Sequence, residues 1–223
     1  FIMTKKLKVK LYKNKWKYII FALLILILII SFTIITQGYN ASHEAKEILN
    51  KENIYLEDNK YYIVESKNFN KSAFIIYPGA RVEALSYLPL AEKIAQLGFK
   101  TYIVKMPLKL AILDSDAAQK IIENNKDIDN FFIAGHSLGG AMAASFAANN
   151  KNKLAGLILF AAYPGKNDNI NNIPVLSISA TNDKIINKEN FYKRKDNLPS
   201  NTKYIKIEGG NHSQFGSYGF QKG

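Results

Sequence analysis

The chain has 223 residues, no cysteine and a formal net charge of +12. The missing cysteine excludes disulfides, a thiol nucleophile and a lipid-modified N-terminal cysteine, and the length holds one α/β domain with an appendage. Lys5, Lys6, Lys8, Lys10, Lys13, Lys15 and Lys17 carry most of the charge and leave +5 for the rest; no later basic stretch interleaves with aromatics, so no nucleic-acid partner is expected.

Residues 1–17 read as a basic cytoplasmic tail. Residues 18–36, from Tyr18 to Thr36, contain no charge. As a helix they span about 29 Å, close to a bilayer core of about 30 Å. Trp16 and Tyr18 stand at one edge, where interfacial aromatics belong, and the preceding lysines orient the N-terminus to the cytoplasm. A cleaved signal peptide is the competing reading. The apolar run is long for one, and Gln37-Gly38-Tyr39-Asn40-Ala41 has no clear small-x-small cleavage site, which favours a retained single-pass anchor. The following domain is then expected outside the cytoplasmic membrane, or secreted if the segment is cleaved.

Residues 37–53 read as a polar connector, helical around Ala41–Asn50, with His43 a solvated surface histidine. Ile54–Glu57 and Tyr61–Glu65 flank Asp58-Asn59-Lys60 as a hairpin. Ala73–Tyr77 is a buried strand that ends in Pro78-Gly79. Ala84–Leu97 has helical periodicity, closed by Gly98. Lys100–Val104 is a strand, and a helix from Asp114 to Asn124 has Asp114 or Ser115 as its cap. Asn130–Ala134 is a strand, and Ala141–Ala148 a small-residue helix. Leu154–Ala161 and Pro174–Ala180 are strands, Asn187–Leu198 a partly solvated helix, and Lys203–Ile207 a last strand. Strands separated by helices imply a mostly parallel sheet with helices on its faces.

Between the fourth of these helices and the strand before it lies Gly135-His136-Ser137-Leu138-Gly139-Gly140. Strand, sharp turn and helix around G-x-S-x-G is the setting of a nucleophile elbow, which lifts the serine hydroxyl clear of the sheet. Side chains at 135 and 139 would collide with the neighbouring strand and helix, so both sites call for glycine. A serine nucleophile needs a base, and the base needs an orienting acid. Of three histidines, His43 lies in the connector and the side chain of His136 leaves the elbow in another direction. His212, in the loop after the last strand, remains as the base. Asp183 follows the strand 174–180 at the carboxyl edge of the sheet and is the expected acid; Asp168, in the preceding loop, reads as a turn residue. The backbone N–H of Leu138 is one expected oxyanion donor. Pro78 has no N–H, which leaves Ala80 as the second. Arg81, beside it, either attracts an anionic group or pairs with Glu83.

Together Tyr77-Pro78-Gly79-Ala80-Arg81-Val82-Glu83, Lys105-Met106-Pro107, the elbow and Gly210-Asn211-His212-Ser213-Gln214-Phe215-Gly216 resemble the α/β-hydrolase superfamily, from about Ile54 to the end. Within it they look like a compact bacterial subgroup related to dienelactone-hydrolase-like enzymes. The resemblance implies an α/β-hydrolase fold over residues 54–223 and a triad of Ser137, Asp183 and His212. It implies no cofactor. One departure is that eleven residues follow His212, where members usually continue into a helix, so the domain is expected to be shortened there. The segment between the strands near Ala161 and Pro174 is too short for a helical cap, and Met106–Leu113 is expected to border the pocket. An open site for a small or exposed acyl group is expected, rather than interfacial lipid digestion. With no metal-ligand cluster and no phosphate loop, the expected activity is hydrolysis of an ester or related acyl bond. Acyl transfer by the same triad, or ligand binding without catalysis, are the alternatives.

Overall fold

The structure is a computed structural model that describes residues 2–150, 152–171 and 173–221. It divides into two compact units, Phe1–Gln37 and Gly38–Gly223. The first is one helix, α1 (Ile2–Thr36). Its stretch Lys15–Thr33 is long and apolar enough to cross a membrane, and none of that stretch is buried.

The second unit opens with α2 (His43–Ile48), whose first turn is capped by the Ser42 side chain on the Ala45 N–H. Ala41 and Ala45 are buried, so the expected connector packs into this unit instead of standing off from it. A hairpin follows, β1 (Ile54–Glu57) and β2 (Tyr61–Val64), paired antiparallel. Asp58 and Asn59 take φ of 48° and 54° at its tip, the left-handed region that these two residue types tolerate best.

Six more strands complete the sheet: β3 (Ser72–Tyr77), β4 (Lys100–Val104), β5 (Asn130–His136), β6 (Gly156–Phe160), β7 (Val175–Ala180) and β8 (Lys203–Ile207). The order is β1-β2-β4-β3-β5-β6-β7-β8. From β4 to β8 all pairings are parallel. Between them run α3 (Leu88–Gln96), α4 (Ala117–Asn124), α5 (Leu138–Asn149) and α6 (Lys188–Lys193).

Successive strand side chains point to opposite faces, and the core divides accordingly. On one face Ile75, Ile133 and Leu157 pack with Ile121 of α4 and Ala143 and Ala147 of α5. On the other Ile76, Ile103 and Ala134 pack with Leu88 and Ala91 of α3 and with Ala45 of α2. Strand β8, at the sheet edge, is exposed along its whole length; Lys203 and Lys206 on it discourage pairing with another chain.

Three helix boundaries differ from expectation. The helix expected over Ala84–Leu97 is a 3₁₀ turn (Ala84–Tyr87) followed by α3. Pro89 explains the break, because proline fits only the first turn of an α-helix. The helix expected from Asp114 begins at Ala117. Asp114 instead closes a 3₁₀ turn, its N–H bonded to the Ala111 carbonyl at 3.2 Å, and Asp116 at the N-cap makes no side-chain cap bond. The helix expected over Asn187–Leu198 is α6 and then a 3₁₀ turn (Arg194–Asn197), with Asn187 as a true cap on Asn190 N–H.

Candidate active site

Parallel strands deliver their following loops to one edge, and the chemistry of this chain collects there. Strand β5 ends at His136, and Ser137 follows at φ 53°, ψ −122°. A non-glycine residue at that conformation is strained. Neighbours hold it: Ser137 N–H donates to the Phe160 carbonyl at 3.0 Å, and its own carbonyl accepts from Ala141 N–H at 3.0 Å. The glycines around it allow the fit. A Cβ on Gly135 would overlap the Gly139 carbonyl, and one on Gly139 would overlap the carbonyls of Tyr77 and Pro78. The elbow thereby lies directly against the loop that leaves β3. Gly140 is equally confined, since a Cβ there would strike Ala162.

Asp183 follows β7 and His212 follows β8. The exit loops are tied together: Asn182 N–H donates to Gly210 O at 2.8 Å and Gly209 N–H to Thr181 Oγ1 at 2.8 Å. His212 opens a 3₁₀ turn (His212–Phe215) with Asn211 and Gln214 forming a reciprocal cap. Its Nδ1 lies 2.7 Å from Asp183 Oδ2, and both side chains are buried. Asp183 Oδ1 accepts from the N–H groups of Ile185 at 2.9 Å and Ile186 at 3.0 Å. Burial pushes the carboxyl pKa up. The His212 hydrogen bond and these two backbone donors outweigh it, so the carboxyl stays below its ordinary value and is charged.

Ser137 and His212 line one cleft of about 300 Å³, with Leu138, Ala141, Ala161, Ala162, Tyr163, Ile185, Ile186 and Asn187 around them. Alanine, leucine and isoleucine side chains make most of this wall apolar, with Tyr163 and Asn187 as polar groups beside Ser137 and His212. Ala161 keeps φ 44° to turn the chain out of β6 into it. Among the described residues, the segment from Ala161 to Pro174 contains no helix, so no helical cap arises from it. Met106–Leu113, expected to border the pocket, is outside this lining.

The expected oxyanion residues divide. Leu138 is the first residue of α5, where N–H groups lack helical partners, and it lines the cleft. Ala80 is half-buried beside the elbow but does not line that cleft. In its loop Gly79 N–H is engaged by Tyr87 Oη at 2.9 Å and Arg81 N–H by Lys109 O at 2.8 Å. The other residues weighed for a role lie elsewhere. His43 is exposed beside Glu47, Asp168 accepts from Gly165 N–H at 2.9 Å as a turn residue, and Glu83 accepts from Ala41 N–H at 2.8 Å.

His136 and Tyr87 are the residues whose part the sequence did not disclose. Tyr87 Oη accepts from Gly79 N–H, which leaves its own proton for His136 Nδ1 at 2.8 Å. One buried hydroxyl therefore joins the loop after β3 to the elbow. The His136 ring packs 4.8 Å from His212, centroid to centroid. Burial and the nearby His212 push its pKa down to about 3, only partly offset by the His212 backbone and Asp183. It is neutral, and its Nε2 has no hydrogen-bond partner of good geometry. The available signal was weak: a histidine closing an apolar strand, with its partner 49 residues away.

Residues 73–223 match the model of the alpha/beta hydrolase family. The chain belongs to that family. A search of curated protein sequences gives no match. Among solved structures it resembles a carboxylesterase from Mesorhizobium loti, at 14% identity over 73% of this chain and 92% of that one, with a TM-score of 0.56. It also resembles esterase 2 of Thermogutta terrifontis, in a form phosphorylated by paraoxon, at 15% identity over 77% and 87% with a TM-score of 0.54. An alpha-beta serine hydrolase homologue from Coxiella burnetii matches at 17% identity over 73% and 89%, also with a TM-score of 0.54. At such identities the likeness is one of fold. Family and fold together make the chain a hydrolase of the α/β type.

Proposed function

We propose that the protein is a serine hydrolase that cleaves an ester or related acyl bond through an acyl-enzyme, in the manner of a carboxylesterase. The observation that carries this reading is the Asp183–His212 bond of 2.7 Å beside a cleft that Ser137 and His212 line together. Ser137 Oγ attacks the acyl carbon while His212 Nε2 takes its proton. Asp183 holds His212 in the tautomer with the proton on Nδ1 and stabilises its charged form. The N–H of Leu138, which lines the cleft, receives the oxyanion, and the Ala80 N–H in the loop after β3 is its second donor once that loop closes on the substrate. The bond to the leaving alcohol then breaks as His212 returns the proton to it. Water, activated by the same histidine, splits the acyl-serine ester and restores the enzyme. A cleft of about 300 Å³ lies at the small end of ligand sites, which run to about 1,000 Å³, and this fits a short acyl chain. No cofactor enters this chemistry.

The domain works on the outer side of the cytoplasmic membrane, held by residues 18–36 as a single-pass anchor with residues 1–17 inside. The supports are the helix long enough to span and the lysines before it.

A fluorophosphonate probe tests the mechanism. Wild-type chain is labelled and hydrolyses p-nitrophenyl butyrate; Ser137→Ala takes no label and loses at least about a thousandfold in turnover. Equal labelling of the two proteins refutes the assignment of Ser137.

A further inference from the structure

The chain enters the hydrolase unit at its catalytic edge. Tyr39 pairs with Val82 as an isolated parallel bridge. Its N–H donates to Arg81 O at 2.7 Å, and its carbonyl accepts from Glu83 N–H at 2.9 Å. These residues continue the loop after β3, the loop of the proposed oxyanion donor Ala80. Ser42 N–H then donates to Ser217 O at 2.8 Å, and the Tyr39 ring lies 5.4 Å from that of Tyr218, both just beyond His212. The apolar helix ends at Thr36. Two residues, Gln37 and Gly38, separate Thr36 from Tyr39, and the three steps between them reach no more than about 11 Å.

The same edge carries apolar side chains that the core does not need. Arg81 N–H bonds Lys109 O, so the neighbouring loop, after β4, flanks the point of entry. In that loop Leu108 and Lys109 take φ of 49° and 58°, a conformation costly for bulky side chains. Leu108 points outward and is 46% exposed. The following 3₁₀ turn (Ala111–Leu113) buries Ala111 completely but leaves Ile112 60% and Leu113 53% exposed. Lys105 and Lys109 stand on the same loop. Lys105 meets Asn59 Oδ1 and the Tyr62 ring, and Lys109 lies 3.5 Å from Asn40 Oδ1. Those partners are neutral; Glu83, which lines the same hollow as both lysines, offsets one positive charge. Leu108, Ile112 and Leu113 are apolar tips of the kind that enters the boundary between headgroups and acyl chains; Lys105 and Lys109 on the first half of the loop favour anionic headgroups, and the exposed Asp114 and Asp116 that close it offset part of that attraction.

We propose that the loop 105–113 docks on the surface of the bilayer that the N-terminal helix spans, so that the catalytic edge faces lipid and takes an acyl ester presented at the membrane. This rests on the anchored-hydrolase reading above.

The absence of native cysteine allows a direct test. Full-length Ile112→Cys, Leu108→Cys and Lys126→Cys are each labelled with an environment-sensitive fluorophore. They are then placed in vesicles of equal parts phosphatidylcholine and phosphatidylglycerol, with or without nitroxide-bearing lipid. Lys126, exposed in the turn before β5, lies at the opposite edge and serves as reference. Side chains of a docked surface enter about 5–10 Å into the headgroup–acyl boundary, so quenching at 108 and 112 should exceed that at 126 at least about threefold. Each labelled protein is used only where its thermal transition matches that of the parent. Equal quenching at the three sites overturns the proposal. So does a label at 112 that is shielded from water but not quenched by lipid nitroxide, because a second copy of the chain then covers the loop. Docking without ester turnover would refute the hydrolase reading and leave the docking standing. Turnover of soluble esters with both labels in water would overturn the docking alone.

Discussion

His136 precedes the elbow serine, yet its ring turns away from the cleft into the core, toward Tyr87. Its neutrality has a measurable consequence. Unfolding returns the ring to an ordinary value of 6.5, while in the fold it is held down to about 3. Below 6.5 the unfolded chain therefore binds the proton first. Stability from this residue is fully present above that pH and is lost as pH falls towards 3, with a slope approaching about 1.4 kcal/mol per pH unit. Asp183, also lowered, acts in the same direction: its contribution is present above the ordinary carboxylate value and disappears as pH falls through its folded value. In His136→Gln the loss between pH 6.5 and 3 should be shallower than in wild type, as read by urea unfolding of the detergent-solubilised full chain across that range; identical slopes would refute the buried neutral histidine. Single residues were unevenly legible. Ser137, Asp183 and His212 were expected to act together because each has a chemical type and a place in chain order that few alternatives share; the structure brings Asp183 to His212 at 2.7 Å and puts Ser137 and His212 on one cleft. Tyr87 could not, because a tyrosine declares its role only through the two groups its hydroxyl joins, Gly79 and His136.

Among the elements, the junction of β5 and α5 constrains its sequence most. Gly135 and Gly139 were expected from the turn alone, and the overlap that a Cβ would meet at each explains the requirement. Gly139→Ala would press on the backbone carbonyls of Tyr77 and Pro78, which cannot move without shifting β3. It should destabilise the fold by about 1–3 kcal/mol or more and reduce ester turnover, because the loop of Ala80 moves with those carbonyls. Thermal denaturation together with kinetics on p-nitrophenyl butyrate checks this; an unchanged midpoint would show that the elbow does not pack against that loop. Strands were read well because apolar runs bounded by turn residues have few other solutions. Helix starts were read less well. Asp114 looks like a cap in sequence, but the core takes Ala111 and leaves Asp114 to close a turn. The same competition between local signal and packing made α2 part of the domain: its polar residues suggested a connector, while Ala41 and Ala45 supplied the buried contacts.

At the scale of the whole molecule, an exported domain predicts that Asn201→Cys, at an exposed turn before β8, reacts with a membrane-impermeant maleimide on intact cells. Labelling only after lysis would place the domain inside and reverse the topology. The cleft of about 300 Å³ sets the space within which the proposed acyl substrate must fit. Periodicity and composition in the chain itself determined a helix long and apolar enough to cross a membrane, the alternation of strands and helices, and the chain order of Ser137, Asp183 and His212, because these depend on local pattern and on residue type. Strand order, the meeting of Asp183 with His212 across 29 residues, the buried link from Gly79 through Tyr87 to His136, and the entry of the chain beside the catalytic edge were decided only by the tertiary structure. Each depends on contacts between segments distant in sequence, and such contacts form where buried area and hydrogen-bond geometry are satisfied together.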